Sequence, residues 1–224
     1  MPESDGRPAG SEAARNEAEK VEVQLLAAER LIFFSDAVVA IAITLLALDL
    51  PVPEGLTNAD VLHALGDHWP EYAAFLISFA VIGLHWLGHH RLFRYVTGLA
   101  GALPRWSMLW LLTIVVTPFA TRVLTADGAF EVRFAFYATV QALAGLFFLL
   151  MVHEINRHGL LRAAAPPGVL SAGYRRPAVL IAAFTISIPI AFVTHWAYLC
   201  WAAIPFVLRG IRIVLDRRAA RETG

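Results

Sequence analysis

One lysine and one cysteine stand among 224 residues. The lysine, Lys20, lies in a polar amino-terminal stretch, so the chain has no lysine with which to build a phosphate-binding P-loop. Cys200 has no partner for an intrachain disulfide, which leaves the redox compartment open. Charge is also scarce: 16% of residues are Asp, Glu, Lys or Arg, and 18 basic residues balance 18 acidic ones. Such a chain lacks the basic footprint of a nucleic-acid binder. No Gly-x-Ser-x-Gly elbow occurs, and the carbonyl-filter sequence Thr-Val-Gly-Tyr-Gly is missing. His153-Glu-Ile-Asn-Arg-His158 is one residue too long for the zinc-protease signature, which throws its second histidine roughly 140° off the first. Catalysis therefore has no anchor, and neither a cofactor, a resident metal nor a soluble substrate is expected.

Apolar residues are what the chain has in abundance. They make up 58% of it, with a mean hydropathy of +0.61. A soluble domain rarely tolerates that balance, whereas a polytopic membrane protein requires it. A bilayer core ~30 Å thick needs ~20 apolar residues per helix. Six stretches qualify, at about 31–50, 72–93, 106–125, 132–153, 177–194 and 196–214. The last two form one run from Pro177 to Leu208 that is too long for a single span, so a tight reversal is expected near Thr194-His195. Met1 to about Lys20 lacks the apolar core of a signal peptide and reads as a disordered or loosely helical tail, which makes the first apolar segment a retained span.

The distribution of arginine decides between five spans and six. With six, and the amino terminus inside, the inner segments carry sixteen basic residues and the outer ones only Arg122 and Arg133. Five would place the stretch from Arg209 to Arg221 outside, against the positive-inside rule. The expected fold is an all-α polytopic membrane protein with six transmembrane helices per subunit and both termini cytoplasmic. Residues 1–25 form the amino-terminal tail, 26–215 the six-helix transmembrane domain and 216–224 the carboxy-terminal tail. The lipid bilayer is its environment, and the cell (inner) membrane its expected location. The loop after the first span, with Pro51, Pro53, Asp60, Asp67 and Glu71, has acids and no Lys or Arg, as an outer loop should.

The segment Arg30 to Leu50 is the most informative. Arg30 and Ser35-Asp36 form a polar lip that runs into an uninterrupted apolar helix. An aspartate stays in such a place only with a partner or a task. At ~100° per residue, Ile41, Thr44, Leu45 and Leu48 fall on one stripe, with Phe34 on its extension, while Asp36 points roughly 140° from Ile41. The stripe can meet symmetry mates or line an axis; it can also be ordinary helix packing, with Thr44 bonded back to the carbonyl of Ala40. Asp49 at the outer end can be a solvated helix-end acid, the reading we favour, or a concentrator of cations at a mouth.

The second span carries Ile82-Gly-Leu-His85-Trp86-Leu-Gly-His89-His90. His85 and His89 share a helical face, but no third ligand lies at close spacing, so a metal site gains little support. Near the inner headgroup level these residues read best as a structural polar cluster, in which Asp36 or Ser35 would bond to His89 or His90.

The stretch Arg30-x-x-x-Phe34-Ser35-Asp36, followed by Ala40-Ile41-x-x-Thr44-Leu45-Leu46, resembles the signature of the transmembrane-protein-175 potassium channels. Ile82-Gly83 with Trp86 and His89-His90 is similar to the family's second motif. One departure is Ala37, where the family often has glycine. The resemblance implies a potassium-selective, leak-type homotetrameric channel without a carbonyl filter, its first helices surrounding a central pore. Potassium is then the permeant ion rather than a cofactor. Carried over by position, Ile41 is implied as the hydrophobic constriction, Leu45 and Leu48 as further apolar layers, and Thr44 as a hydroxyl ring tied to moderate selectivity over sodium. Arg30, Phe34, Ser35 and Asp36 are implied as a structural network with Trp86, His89 and His90. Two rivals remain: a proton-coupled secondary transporter using Asp36 with His89 and His90, and a metal protein built on His85, His89 and Glu154.

Overall fold

A computed structural model describes the backbone of residues 9–222 and the side chains of residues 12–211, 213 and 214. The chain runs through helices α1 (Ala9–Leu48), α2 (Asn58–Asp67), α3 (Trp69–Phe93), α4 (Leu103–Thr125), α5 (Phe130–Arg157) and α6 (Val169–Ala191). A 3₁₀ turn, His195–Tyr198, and the short α7 (Leu199–Ala202) then lead into α8 (Ile204–Glu222). α1, α3, α4 and α5 are long and apolar enough to cross a bilayer.

α1 has 40 residues, hence a length of about 60 Å, twice the hydrocarbon thickness. Its apolar half begins near Leu31. The polar Ala/Glu-rich half continues the same helix without a break at residue 25, as good helix formers allow. The first eight residues of the expected amino-terminal tail, and the last two of the carboxy-terminal one, lie outside the described residues. Helix α2 is closed by a reciprocal cap: the Thr57 N–H donates to Asp60 Oδ2 at 2.9 Å, and the Asp60 N–H to Thr57 Oγ1 at 3.3 Å. The Thr57 side chain first and the Thr57 N–H next hold the Asp60 carboxyl below the usual carboxylate range, with burial opposing them.

The reversal expected near Thr194-His195 is present. α6 ends at Ala191 two residues after Pro189, and the Thr194 side chain accepts from the Trp196 N–H at 3.2 Å to start the 3₁₀ turn. The last apolar stretch is therefore not one helix from residue 196, but a turn, a four-residue helix and α8.

One apolar cluster joins α1, α3, α4 and α5 through Val39, Leu46, Ile82, Trp110, Ile114 and Phe148. A second, aromatic-rich cluster gathers Phe134, Tyr137, Phe184 and Trp201 from α5, α6 and α7; the Phe134 and Trp201 rings stack at 4.4 Å. On the arginine-rich side the loops α3–α4 and α5–α6 pair: the Thr97 N–H donates to the Leu160 carbonyl at 2.8 Å, and the Arg162 N–H to that of Tyr95 at 2.9 Å. The projecting part of α1 is tied to the same platform, where the Leu99 N–H donates to Gln24 Oε1 at 3.1 Å.

Candidate pore helix and its polar anchor

α1 packs against α3 and α4 with one face only. Ser35, Val39, Ala42 and Leu46 are buried at a spacing of four, three and four residues, as a single helical stripe requires. Ile41, Leu45 and Leu48 stay 59%, 39% and 78% exposed in the subunit, and Thr44 and Phe34 are exposed with them. The two faces interleave along the same two turns, so the covered residue Leu46 sits next in sequence to the uncovered Leu45. The Thr44 hydroxyl donates to the carbonyl of Ile41 at 2.8 Å, not to that of Ala40.

Asp36 is half-buried and accepts from the Trp86 indole N–H at 2.9 Å. This corrects the expected pairing with His89 or His90, and the reason is helical phase. Trp86 and His90 share one face of α3 and stack at 5.4 Å, whereas His85 and His89 face the interior. His89 lies between two rings, 4.9 Å from Trp110 and nearly parallel to it, and 4.0 Å from Phe93. Neither of its nitrogens has a hydrogen-bond partner among the described residues. Ser35 is fully buried and donates to its own helix, at the Leu31 carbonyl, 2.8 Å away. Arg30 is exposed.

At the carboxy-terminal end of α1, Asp49 is exposed, in keeping with a solvated helix-end acid, and Arg122 of α4 approaches its carboxylate at 3.5 Å. Arg133, the other arginine expected on the outer side, donates to the carbonyls of Leu124, Gly128 and Ala129 and so closes the α4–α5 turn. Both exceptions to the positive-inside pattern thus have structural partners.

The structure also shows a polar spine that the sequence reading passed over. Thr113, Thr117 and Thr121, one turn apart on α4, each donate back into their helix at 2.6 to 2.8 Å. The Gln141 amide donates to the Thr117 oxygen at 3.3 Å, and the Ser78 hydroxyl bridges Thr121 at 2.7 Å and Tyr137 at 3.0 Å. The four-residue repeat of threonine was the available signal. On the arginine-rich side, Glu154 accepts from the Ala102 N–H at 3.1 Å and meets His158 at 3.4 Å. Gly101 fits beneath them with φ +58°, where a Cβ would collide with both Glu154 and His158. Among the described residues no three His, Cys, Asp or Glu side chains gather as metal ligands.

These motifs coincide with what known proteins share. The family model for the endosomal/lysosomal potassium channel TMEM175 matches residues 30–118, the segment that holds α1's apolar half, α3 and most of α4. A potassium channel of Chamaesiphon minutus is 33% identical over 189 residues, 79% of this chain and 91% of that protein. The chain belongs to the TMEM175 family. A potassium channel of Streptomyces collinus is 40% identical over 132 residues, 57% of this TMEM175-family chain; the match spans 64% of the Streptomyces protein. The crystal structure of a lysosomal potassium-selective channel TMEM175 homolog from Chamaesiphon minutus superposes with a TM-score of 0.66 at 29% identity, covering 81% of this chain and 97% of that one. Membership also sets aside an enzyme: this is a family of multi-pass channels.

Proposed function

We propose that the chain is a potassium-selective leak channel of the cell (inner) membrane. Four copies assemble with their α1 helices around the pore. In each copy residues 26–215 form a six-crossing domain whose termini face the cytoplasm, with α6 and the segment from the 3₁₀ turn through α8 as the fifth and sixth crossings. The observation that carries the reading is the uncovered stripe Ile41, Thr44, Leu45 and Leu48, opposite the packed face of the helix that bears the family's motif.

The mechanism follows from what each layer offers an ion. A ring of Ile41 side chains supplies no ligand to replace lost water, so it narrows the pathway and can close it by dewetting. Potassium gives up hydration more readily than sodium, and a narrow apolar ring favours it on that ground. Thr44 softens the cost. Because its hydrogen is already donated to Ile41, its oxygen keeps acceptor capacity for a passing cation. Selectivity built this way is moderate compared with a carbonyl filter. The Asp36–Trp86 bond fixes the rotation of α1, and with it the direction in which the stripe points.

Ile41→Asn tests the constriction. A hydrated amide ring should raise potassium flux into proteoliposomes well above wild type; unchanged flux removes Ile41 from the pathway. A proton-coupled transporter built on Asp36 with His89 and His90 is less well supported, since Asp36 is engaged by Trp86 and His89 is sealed between rings.

A further inference from the structure

α2 is a helix of ten residues, none of whose side chains is buried. Isolated helices shorter than ~12–15 residues are marginal in water even for Ala-rich sequences, because most helical stability in proteins comes from a packed apolar face. α2 has such a face, and no described residue of the subunit covers it. Leu62 and Leu65 lie roughly 60° apart around the helix and are 68% and 39% exposed. Asp60, His63 and Asp67 stand roughly 100° to 160° from either leucine. His63 and Asp67 pair across one turn at 2.9 Å with both side chains largely in solvent, and Asp60 closes the cap.

Both ends of α2 are held where the chain leaves and re-enters the bilayer. The flanking helices α1 and α3 are long and apolar enough to cross it. α1 ends at Leu48, and α3 begins at Trp69, directly after α2. The linker from α1 is tied down as well: the Tyr72 hydroxyl, in the first turn of α3, donates to the Pro51 carbonyl at 2.8 Å. Trp69 is 63% exposed, at the edge of a span, where tryptophan settles at headgroup level. Leu65 and Leu62 precede it by one and two turns, on a helix that cannot rise far from that level. No Lys or Arg occurs from Asp49 to Glu71, so the partner that fits is the apolar boundary of the bilayer rather than its anionic head groups.

We propose that α2 lies along the bilayer surface on the side away from the arginine-rich loops. Leu62 and Leu65 are immersed at the boundary between head groups and acyl chains, and Asp60, His63 and Asp67 stay in water. Amphipathic helices in the interface plane bury their apolar face ~5–10 Å into that boundary. Because the polar face is acidic, the contact needs no anionic lipid. It covers the stripe that the subunit leaves open and pins the link between α1 and α3 to the membrane. The ion that the pore conducts plays no part in it, so it stands or falls separately from the channel reading.

Spin labels on the full chain in dioleoyl phosphatidylcholine liposomes test this. Leu62→Cys, His63→Cys, Leu65→Cys and Asp67→Cys, all at exposed positions, each carry a nitroxide in a Cys200→Ser background. Power saturation then compares collisions with dissolved oxygen and with a water-soluble nickel complex. The labels of Leu62→Cys and Leu65→Cys should be relaxed by oxygen and shielded from nickel, and those of His63→Cys and Asp67→Cys the reverse. The pattern should persist when phosphatidylglycerol replaces part of the lipid. Amide hydrogen exchange of the wild-type chain in the same liposomes needs no variant, and residues 61–67 should exchange well below the rate of an unfolded peptide. Equal nickel access at all four positions, or exchange at the unfolded rate, would place α2 in water and overturn the proposal. Shielding of Leu62→Cys and Leu65→Cys from both reagents would overturn it by marking a contact with a second copy of the chain. A pattern that appears only with phosphatidylglycerol would overturn it by marking recognition of anionic head groups.

Discussion

Trp86→Phe isolates the bond that ties α1 to α3. The substitution keeps an aromatic ring beside His90 but removes the indole N–H that Asp36 accepts at 2.9 Å. A hydrogen bond to a charged group contributes about 1.5–3 kcal/mol, and at about 2–4 °C per kcal/mol for a chain of this size the melting temperature should fall by roughly 3–12 °C. The smaller ring adds a packing loss of its own, so a cycle with Asp36→Asn is needed to separate the pair from the cavity. Thermal unfolding of the four proteins in detergent supplies the cycle, and size-exclusion chromatography follows the assembled fraction. The expected coupling is on the order of 1–2 kcal/mol, with loss of assembly preceding any change in ion preference. A coupling near zero would show that the bond does not hold α1. An intact assembly with altered selectivity alone would place Asp36 in the permeation path and refute the two-face account.

Four further outcomes are expected. Thr44→Ala should leave the fold unchanged, because its hydroxyl bonds only within its own helix, yet lower the potassium-over-sodium flux ratio in liposomes; an unchanged ratio removes Thr44 from the selective layer. Leu46→Ala, on the packed face, should cost about 2–5 kcal/mol, whereas Leu45→Ala next to it should leave subunit stability nearly unchanged and act on assembly or flux; denaturation in detergent separates them. Gly101→Ala should destabilise the inner platform by at least about 1–2 kcal/mol from its left-handed backbone, before the collision with Glu154 and His158 is counted, and hydrogen exchange at Ala102 and Leu99 should report it. Glu154→Ala leaves the Ala102 N–H without its acceptor and should cost about 1–3 kcal/mol, read by thermal unfolding in detergent.

Much of the architecture is legible in the chain. Hydropathy and arginine placement locate the long helices, the run after Pro177 is too long to be one of them, and Thr194 marks the turn that divides it. The division of α1 into two faces also follows from period alone, since Asp36 and Ile41 are fixed by helical geometry. What one helix cannot reveal is the phase of its neighbour. Trp86, His89 and His90 are close in sequence but differ by roughly 40° to 100° around α3, and only packing decides that Trp86 meets Asp36 while His89 turns to Trp110. The same limit hides the ion pair of Asp49 with Arg122, which joins two helices far apart in the chain. The threonine repeat on α4 is different: its spacing stands in the sequence, but an i, i+4 hydroxyl ladder gains meaning only once Gln141, Ser78 and Tyr137 are seen against it.

The central claim is that the uncovered face of α1 passes potassium in preference to sodium. Purified protein in liposomes loaded with one cation or the other tests it directly, with flux followed at zero proton gradient. The account predicts measurable potassium flux that exceeds sodium flux by a moderate factor and does not depend on pH difference across the membrane. Equal flux of the two ions, or flux that appears only with a proton gradient, would contradict it.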